Sequence, residues 1–174
     1  AGYLDAMAAV EGGSVAPKSM GPLYMAAHGP KMQALGASRT DGVLTYLMSP
    51  EHTQLSKARM GPDADLNVIC FLLAETDPAK ARQTAREALA FYMGLDYYHR
   101  EWRKLGFSDS DFTDGGSDAL IDMLVGWGDT ETMQAHVKRH EEAGATRVII
   151  APLAYGKSGL SRDNPLFEAL APGS

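Results

Sequence analysis

Residues Leu23 to Met48, LYMAAHGPKMQALGASRTDGVLTYLM, constrain this chain more than any other stretch. They read as a strand, a tight turn, a helix and a second strand opened by Asp41-Gly42. The apolar run Pro22 to Ala27 stops at His28-Gly29-Pro30-Lys31. Gly permits a positive φ or a close ligand approach, and Pro suits the first helical position because it has no N–H to lose. A helix N-terminus after a glycine turn, at the carboxyl end of a parallel strand, offers free amides and a positive dipole end to an anion. The segment predicts α/β architecture and a phosphate-bearing ligand.

The pattern continues downstream, while nothing comparable precedes it, so the chain reads as the second half of a longer arrangement. A helix-like stretch, Gly2 to Val10, and a loop, Gly12 to Pro17, come first. After the helix Pro30 to Arg39 and the strand Gly42 to Met48, Ser49-Pro50 starts a helix that ends near Met60-Gly61-Pro62. Leu66 to Ala74, LNVICFLLA, is an almost unbroken apolar run, as expected of a strand covered on both faces in a parallel sheet. Asp77-Pro78 caps a long helix through Ala81, Ala85, Ala88, Leu89 and Tyr92. Gly94 to Gly116 holds short helices and turns. Ser117 caps a helix that Gly126-Trp127-Gly128-Asp129 breaks, and Thr130 to Ala143 forms the next, closed by Gly144. Thr146 to Ala151 is a strand and Asn164 to Ala171 a short last helix. Strands alternating with helices imply βαβ units. About four strands are present, where a closed (β/α)8 barrel needs eight and ~250 residues.

Composition excludes some functions. At 174 residues the chain supports one domain, residues 1–174, with a real core. A net charge of −6 argues against a nucleic-acid partner, whose affinity needs a basic footprint. The basic and aromatic residues around Arg100-Glu101-Trp102-Arg103-Lys104 read instead as a helix with Tyr98, Trp102 and Leu105 on its buried face. No stretch approaches the ~18 uncharged apolar residues of a membrane span, and the opening residues do not resemble a secretory leader. The single cysteine, Cys70, reads as a small buried hydrophobe without a disulfide partner, and points to a reducing cytoplasm.

Other motifs carry less. Ala151-Pro152-Leu153-Ala154-Tyr155-Gly156-Lys157-Ser158 approaches a P-loop, but begins with Ala and leaves no room downstream for the rest of such a fold. It leaves a small P-loop nucleotide binder as a minor alternative. His136 and His140 have two-ligand helical spacing, yet the intervening Val137-Lys138-Arg139 lacks the Glu of H-E-x-x-H and brings cations. They are expected on a polar helix face, with no metal. Asp109, Asp111 and Asp114 fall short of a calcium loop, because Leu120 stands at its twelfth position. Asp118 and Asp122 are expected to face solvent.

Several separated pieces make a more specific match: YLDAM, LYMAAHGPKM, TDGVLTYLMSPEHT, LLAETDPAKAR, ALAFYMGLDYYHREWRKLGFSDSDF, GGSDALIDMLVGWGD and HEEAGATRVII. Together, from about Tyr3 to Ala151, they resemble the C-terminal half of luciferase-like monooxygenases, particularly the coenzyme F420-dependent subgroup. The resemblance implies the C-terminal part of a (β/α)8 barrel with a helical insertion before the last strand. It implies hydride transfer between coenzyme F420 and a small-molecule organic substrate, with FMN-dependent monooxygenation as the alternative. Its G-P-K turn maps onto Gly29, Pro30 and Lys31, with His28 before and Met32 after, as the cofactor-binding residues. The strands that carry most proposed catalytic residues of that family precede Pro22, so no catalytic residue is assigned. A half-barrel is expected to form a homo-oligomer or to pair with the missing half, and a non-catalytic half-barrel is a further alternative.

Overall fold

The structure, a computed structural model, describes residues 2–9, 21–153 and 170. The expected loop at Gly12 to Pro17, the last helix and Tyr155 to Ser158 of the P-loop-like segment lie outside the described residues. Helix α1 (Gly2–Ala9) is followed by β1 (Tyr24–Ala26), α2 (Pro30–Arg39), β2 (Gly42–Tyr46), α3 (Pro50–Met60) and β3 (Asp65–Leu73). Then come α4 (Pro78–Met93), α5 (Asp96–Arg103), a 3-10 turn (Asp109–Phe112), α6 (Asp118–Leu124), β4 (Val125–Trp127), α7 (Thr130–Glu142) and β5 (Arg147–Pro152). None of the described helices is long and apolar enough to cross a membrane.

Local chemistry sets the helix starts. Ser49, Asp77, Ser117 and Asp129 each accept a hydrogen bond from a backbone N–H in the first turn of the helix they precede. These bonds satisfy donors that the helix itself leaves free. Pro stands at the start of α2, α3 and α4. Gly144, at φ 97, closes α7.

All the strand pairs are parallel. Asn67 to Ile69 pair with β2 on one side and β5 on the other, which gives the order β1-β2-β3-β5. Phe71 and Leu72 pair with both β4 and β5, so β4 occupies β2's side of β3 beyond the end of β2. Two expectations are corrected here. Strand β2 ends at Tyr46 rather than Met48, because Leu47 takes φ 56 and turns the chain out of the sheet. The Gly126-Trp127 segment, expected only as a helix break, extends and adds β4 to the sheet.

Leu66, Val68, Cys70 and Leu72 of β3 are buried with Ala27, Val43 and Met133 in one core. A second core joins Leu47, Met48 and Leu73 to Ala81, Ala85, Leu89, Tyr98, Trp102, Leu120 and Ile121, and seats the α4–α6 region against the strand ends. The other sheet face is less covered. Ile69 and Phe71 are half-buried, and Ile149, in register with Ile69, is 44 % exposed. The apolar run of β3 is thus fully buried on one face only. Asp122 is not the solvent-facing residue expected: it is half-buried, and accepts from Arg82 (Nη2 at 2.6 Å) and Trp127 Nε1 (2.8 Å). Burial opposes ionisation of its carboxyl, but these bonds hold it below the usual carboxylate range. Asp118 is exposed as expected, and pairs with Arg82 and Arg86.

Gly42, the first residue of β2, has no room for a side chain. A Cβ there would lie 2.4 Å from the Asp65 carbonyl oxygen and 2.8 Å from the Tyr24 ring. Backbone paired into a ladder on both sides cannot yield as a flexible side-chain tip can. Gly42→Val is expected to cost about 3 kcal/mol or more, at the upper end of overpacking penalties. Urea unfolding checks this, and a midpoint unchanged from the wild type refutes it.

Candidate functional site

The turn after β1 places His28 at the carboxyl end of the sheet, 4 % exposed. Its Nε2 accepts a hydrogen bond from the Tyr46 N–H at 3.3 Å. Its Nδ1 is buried with no partner among the described residues. An imidazole that accepts at Nε2 carries its proton on Nδ1 when neutral. Burial, with His52 nearby, lowers the His28 pKa to about 4, so the ring is neutral near pH 7. His28 therefore presents one N–H donor that the fold does not use. An unused buried donor costs about 1–3 kcal/mol, and a bound acceptor recovers it.

Position is enforced from both sides of the ring. The His28 carbonyl accepts from His52 Nε2 at 3.1 Å, which ties the turn to α3. Tyr46, at the end of β2, meets His28 edge-on with ring centroids 5.5 Å apart. Tyr97 and Tyr98 of α5 each lie 5.7 Å from it. Tyr92 of α4 completes the wall, 5.9 Å from Tyr46 and 5.6 Å from Tyr98. Burial first, then its tyrosine neighbours, push the Tyr98 phenol well above its ordinary range. Burial and then Glu101 raise Tyr97 likewise. These phenols serve as neutral hydroxyls rather than as bases.

Gly29 caps α2 with φ −82 and ψ 149, an extended backbone that any residue adopts, and without a side-chain cap. Of the two uses expected of this glycine, a positive φ is not the one taken. What glycine contributes is room: a Cβ there would meet nothing within 4 Å. Pro30 has no N–H, and the Gln33 N–H already bonds to the Gly29 carbonyl at 3.0 Å. The amides of Lys31 and Met32 lie in the first turn, where a helix supplies no acceptor. Both side chains are exposed. Two free amides, a helix dipole, a lysine and an open approach over Gly29 suit an anionic oxygen.

The structure thus keeps His28, Gly29, Pro30, Lys31 and Met32 together at one strand end, as their contiguity requires. It adds Tyr46, Tyr92, Tyr97 and Tyr98, which sequence patterns alone did not assign to the site. Their only advance signal was a density of tyrosines at the end of β2 and through α4 and α5. Two of the basic residues in and just after α5 are taken up locally, Arg103 on Asp109 and Lys104 on Glu101. The P-loop-like segment contributes only Ala151 to Leu153 to the described residues, and these continue β5. The acidic cluster serves turns, with Asp111 accepting from the Ser108 N–H at 2.8 Å.

No family model matches the chain, and no curated protein does. Solved structures do match. Coenzyme F420-dependent tetrahydromethanopterin reductase from Methanopyrus kandleri is 20 % identical, with a TM-score of 0.54, over 75 % of this chain and 44 % of that one. An F420-dependent secondary alcohol dehydrogenase, in complex with an F420-acetone adduct, is 18 % identical, with a TM-score of 0.56, over 82 % and 46 %. Apo-MsnO8 is 15 % identical, with a TM-score of 0.51, over 88 % and 52 %. The chain spans about half the length of these structures. Its fold is a parallel α/β half-barrel of the luciferase-like type.

Proposed function

We propose that this half-barrel is the C-terminal portion of a coenzyme F420-dependent oxidoreductase, and that residues His28 to Met32 hold the cofactor by its phosphate. The observation that carries the reading is the unpartnered Nδ1–H of buried His28, next to the free first-turn amides of α2. Two of the solved structures sharing the fold are F420-dependent enzymes, which supports this cofactor over FMN. When bound, the deazaflavin supplies the hydride chemistry, and the protein supplies position, electrostatics and exclusion of water. Lys31 and the amides of Lys31 and Met32 hold phosphate oxygens, while His28 donates from Nδ1 to an acceptor on cofactor or substrate. The tyrosine wall excludes water from the same strand end. The remaining barrel strands would complete the pocket for a small organic substrate.

Titration of the full reading-frame product with coenzyme F420 and with FMN tests this. F420 is expected to bind more tightly, and His28→Phe to weaken it about 10- to 100-fold, the loss of one or two buried hydrogen bonds. A preference for FMN sinks the cofactor assignment, and an unchanged affinity in His28→Phe sinks the role of the turn.

The exposed Ile149 beside half-buried Ile69 and Phe71 favours a second reading for the chain on its own. In that reading the open sheet face is covered by pairing, with another half-barrel or with a second copy. A soluble monomer in size-exclusion chromatography with light scattering would argue against it.

A further inference from the structure

Cys70 lies on the helix-facing side of β3, and α7 packs across that side. His136 and His140, one turn apart on α7, point inward to it: the three residues are 3 %, 4 % and 1 % exposed. The polar helix face expected for the two histidines is therefore wrong. The Cys70 sulfur and one ring nitrogen from each histidine all lie within 4.8 Å of one another. An apolar core gains nothing from two imidazoles and a thiol at one point, since buried polar groups cost free energy unless they are bonded.

One imidazole is already held through one ring nitrogen. Thr53 Oγ1 lies 2.9 Å from His140 Nδ1 and 3.4 Å from the Ser49 carbonyl, so the hydroxyl engages Nδ1 of the ring. His140 Nε2 is the ring nitrogen left over for a metal, with its lone pair free when Nδ1 donates to Thr53. An imidazole fixed through its other nitrogen in this way is characteristic of metal ligands. His136 Nδ1 instead accepts from Arg139 Nη2 at 2.8 Å. Arg139 is exposed, and with His136 it lines a cleft of about 410 Å³ shared with Gly126, Trp127, Asp129 and Thr132. Withdrawal of the guanidinium into that cleft would free His136 Nδ1.

We propose that Cys70, His136 and His140 form a site for one thiophilic divalent cation, Zn²⁺ first, that cross-links α7 to β3 when Arg139 withdraws. Zn–S bonds near 2.3 Å and Zn–N bonds near 2.0 Å place tetrahedral ligand atoms about 3.3–3.7 Å apart, so rotations of roughly 1 Å close the set. Binding expels the Cys70 proton and leaves a thiolate on the metal. The fourth position falls to water from the cleft. Softness of the thiolate and two imidazoles selects Zn²⁺ or Co²⁺ over Mg²⁺ or Ca²⁺.

Cobalt is the decisive probe, because Cys70 is the only cysteine in the chain and a thiolate-to-cobalt charge-transfer band has no other source. Titrating the full chain with Co²⁺ is expected to give that band at one equivalent, with Zn²⁺ displacing it. Zn²⁺ should raise the melting temperature. Cys70→Ser should abolish the band and weaken Zn²⁺ binding at least tenfold, and His140→Asn should weaken it similarly, with circular dichroism confirming the fold of each. Arg139→Gln should strengthen binding by removing the competing cation. Absence of the band, or Zn²⁺ affinity unchanged in Cys70→Ser, overturns the site. Neither outcome bears on cofactor binding at His28.

Discussion

With metal chelated, lowering the pH from 7 to 4 is expected to unfold the chain with a midpoint near pH 5, above the range where ordinary carboxylates protonate. The groups responsible are His28, His136 and His140, each held down to a pKa of about 4 chiefly by burial, from 6.5. A folded-state pKa below the unfolded one means that the unfolded chain binds the proton first. The stability these residues contribute is complete above pH 6.5, falls as the pH drops, and is gone below about 4. A tenfold difference in proton affinity between the two states corresponds to about 1.4 kcal/mol, so each histidine accounts for roughly 3 kcal/mol. Three such losses, about 9 kcal/mol together, match the middle of the usual stability range of about 5–15 kcal/mol, so they suffice to unfold a domain of ordinary stability. The slope of unfolding free energy against pH near 5 should report uptake of roughly three protons. His136→Gln should reduce that count by about one. A slope below one proton would show that these rings are already solvated in the folded state.

Trp102→Ala is the substitution expected to cost most, about 3–5 kcal/mol from the cavity alone. Trp102 is fully buried, packed on Tyr98 at 5.4 Å between ring centroids and on Phe112 at 5.9 Å. Its Nε1–H also donates to the Leu47 carbonyl at 2.9 Å, where Leu47 turns β2 out of the sheet. Losing that donor strands a buried carbonyl, which adds about 1–3 kcal/mol. Trp102→Phe keeps most of the volume and isolates the hydrogen bond, so it should cost about 1–2 kcal/mol. Urea unfolding distinguishes the two. Trp102 also backs Tyr98, so either variant is expected to loosen the aromatic wall around His28. A loss below about 1 kcal/mol in Trp102→Ala, less than a buried tryptophan's cavity can cost, would mean that α5 is not docked on the end of β2.

Much of the architecture was legible because its causes are local. Ser49-Pro50, Asp77-Pro78 and Ser117 each satisfy first-turn amides from residues a few positions away, so their helices begin where the sequence places them. The unbroken apolar run Leu66 to Ala74 marked β3 as a strand, but not that only one of its faces would be fully buried. Errors arose where a distant element decides. Tyr46 ends β2 because Leu47 turns toward Trp102, and the Gly126 segment becomes a strand because β3 offers a free edge there. Asp122 leaves solvent because Arg82 and Trp127 both reach it.

The candidate site divides along the same line. His28 to Met32 could be marked as a candidate anion site from five consecutive residues, since proline, glycine and the helix start act on their own backbone. That His28 is buried with one unused N–H depends on Tyr46 and on α5, a helix far along the chain inside the insertion. Cys70 and His136 show the contrast most sharply. Their sequence context identified a buried thiol and a two-histidine spacing, while the third ligand and the burial arose only when α7 packed on β3. Hydrogen-bond capping and side-chain alternation decay within a turn or two of chain, so the sequence displays them directly. Close packing acts through space, and only the assembled tertiary structure says which distant groups it brings together.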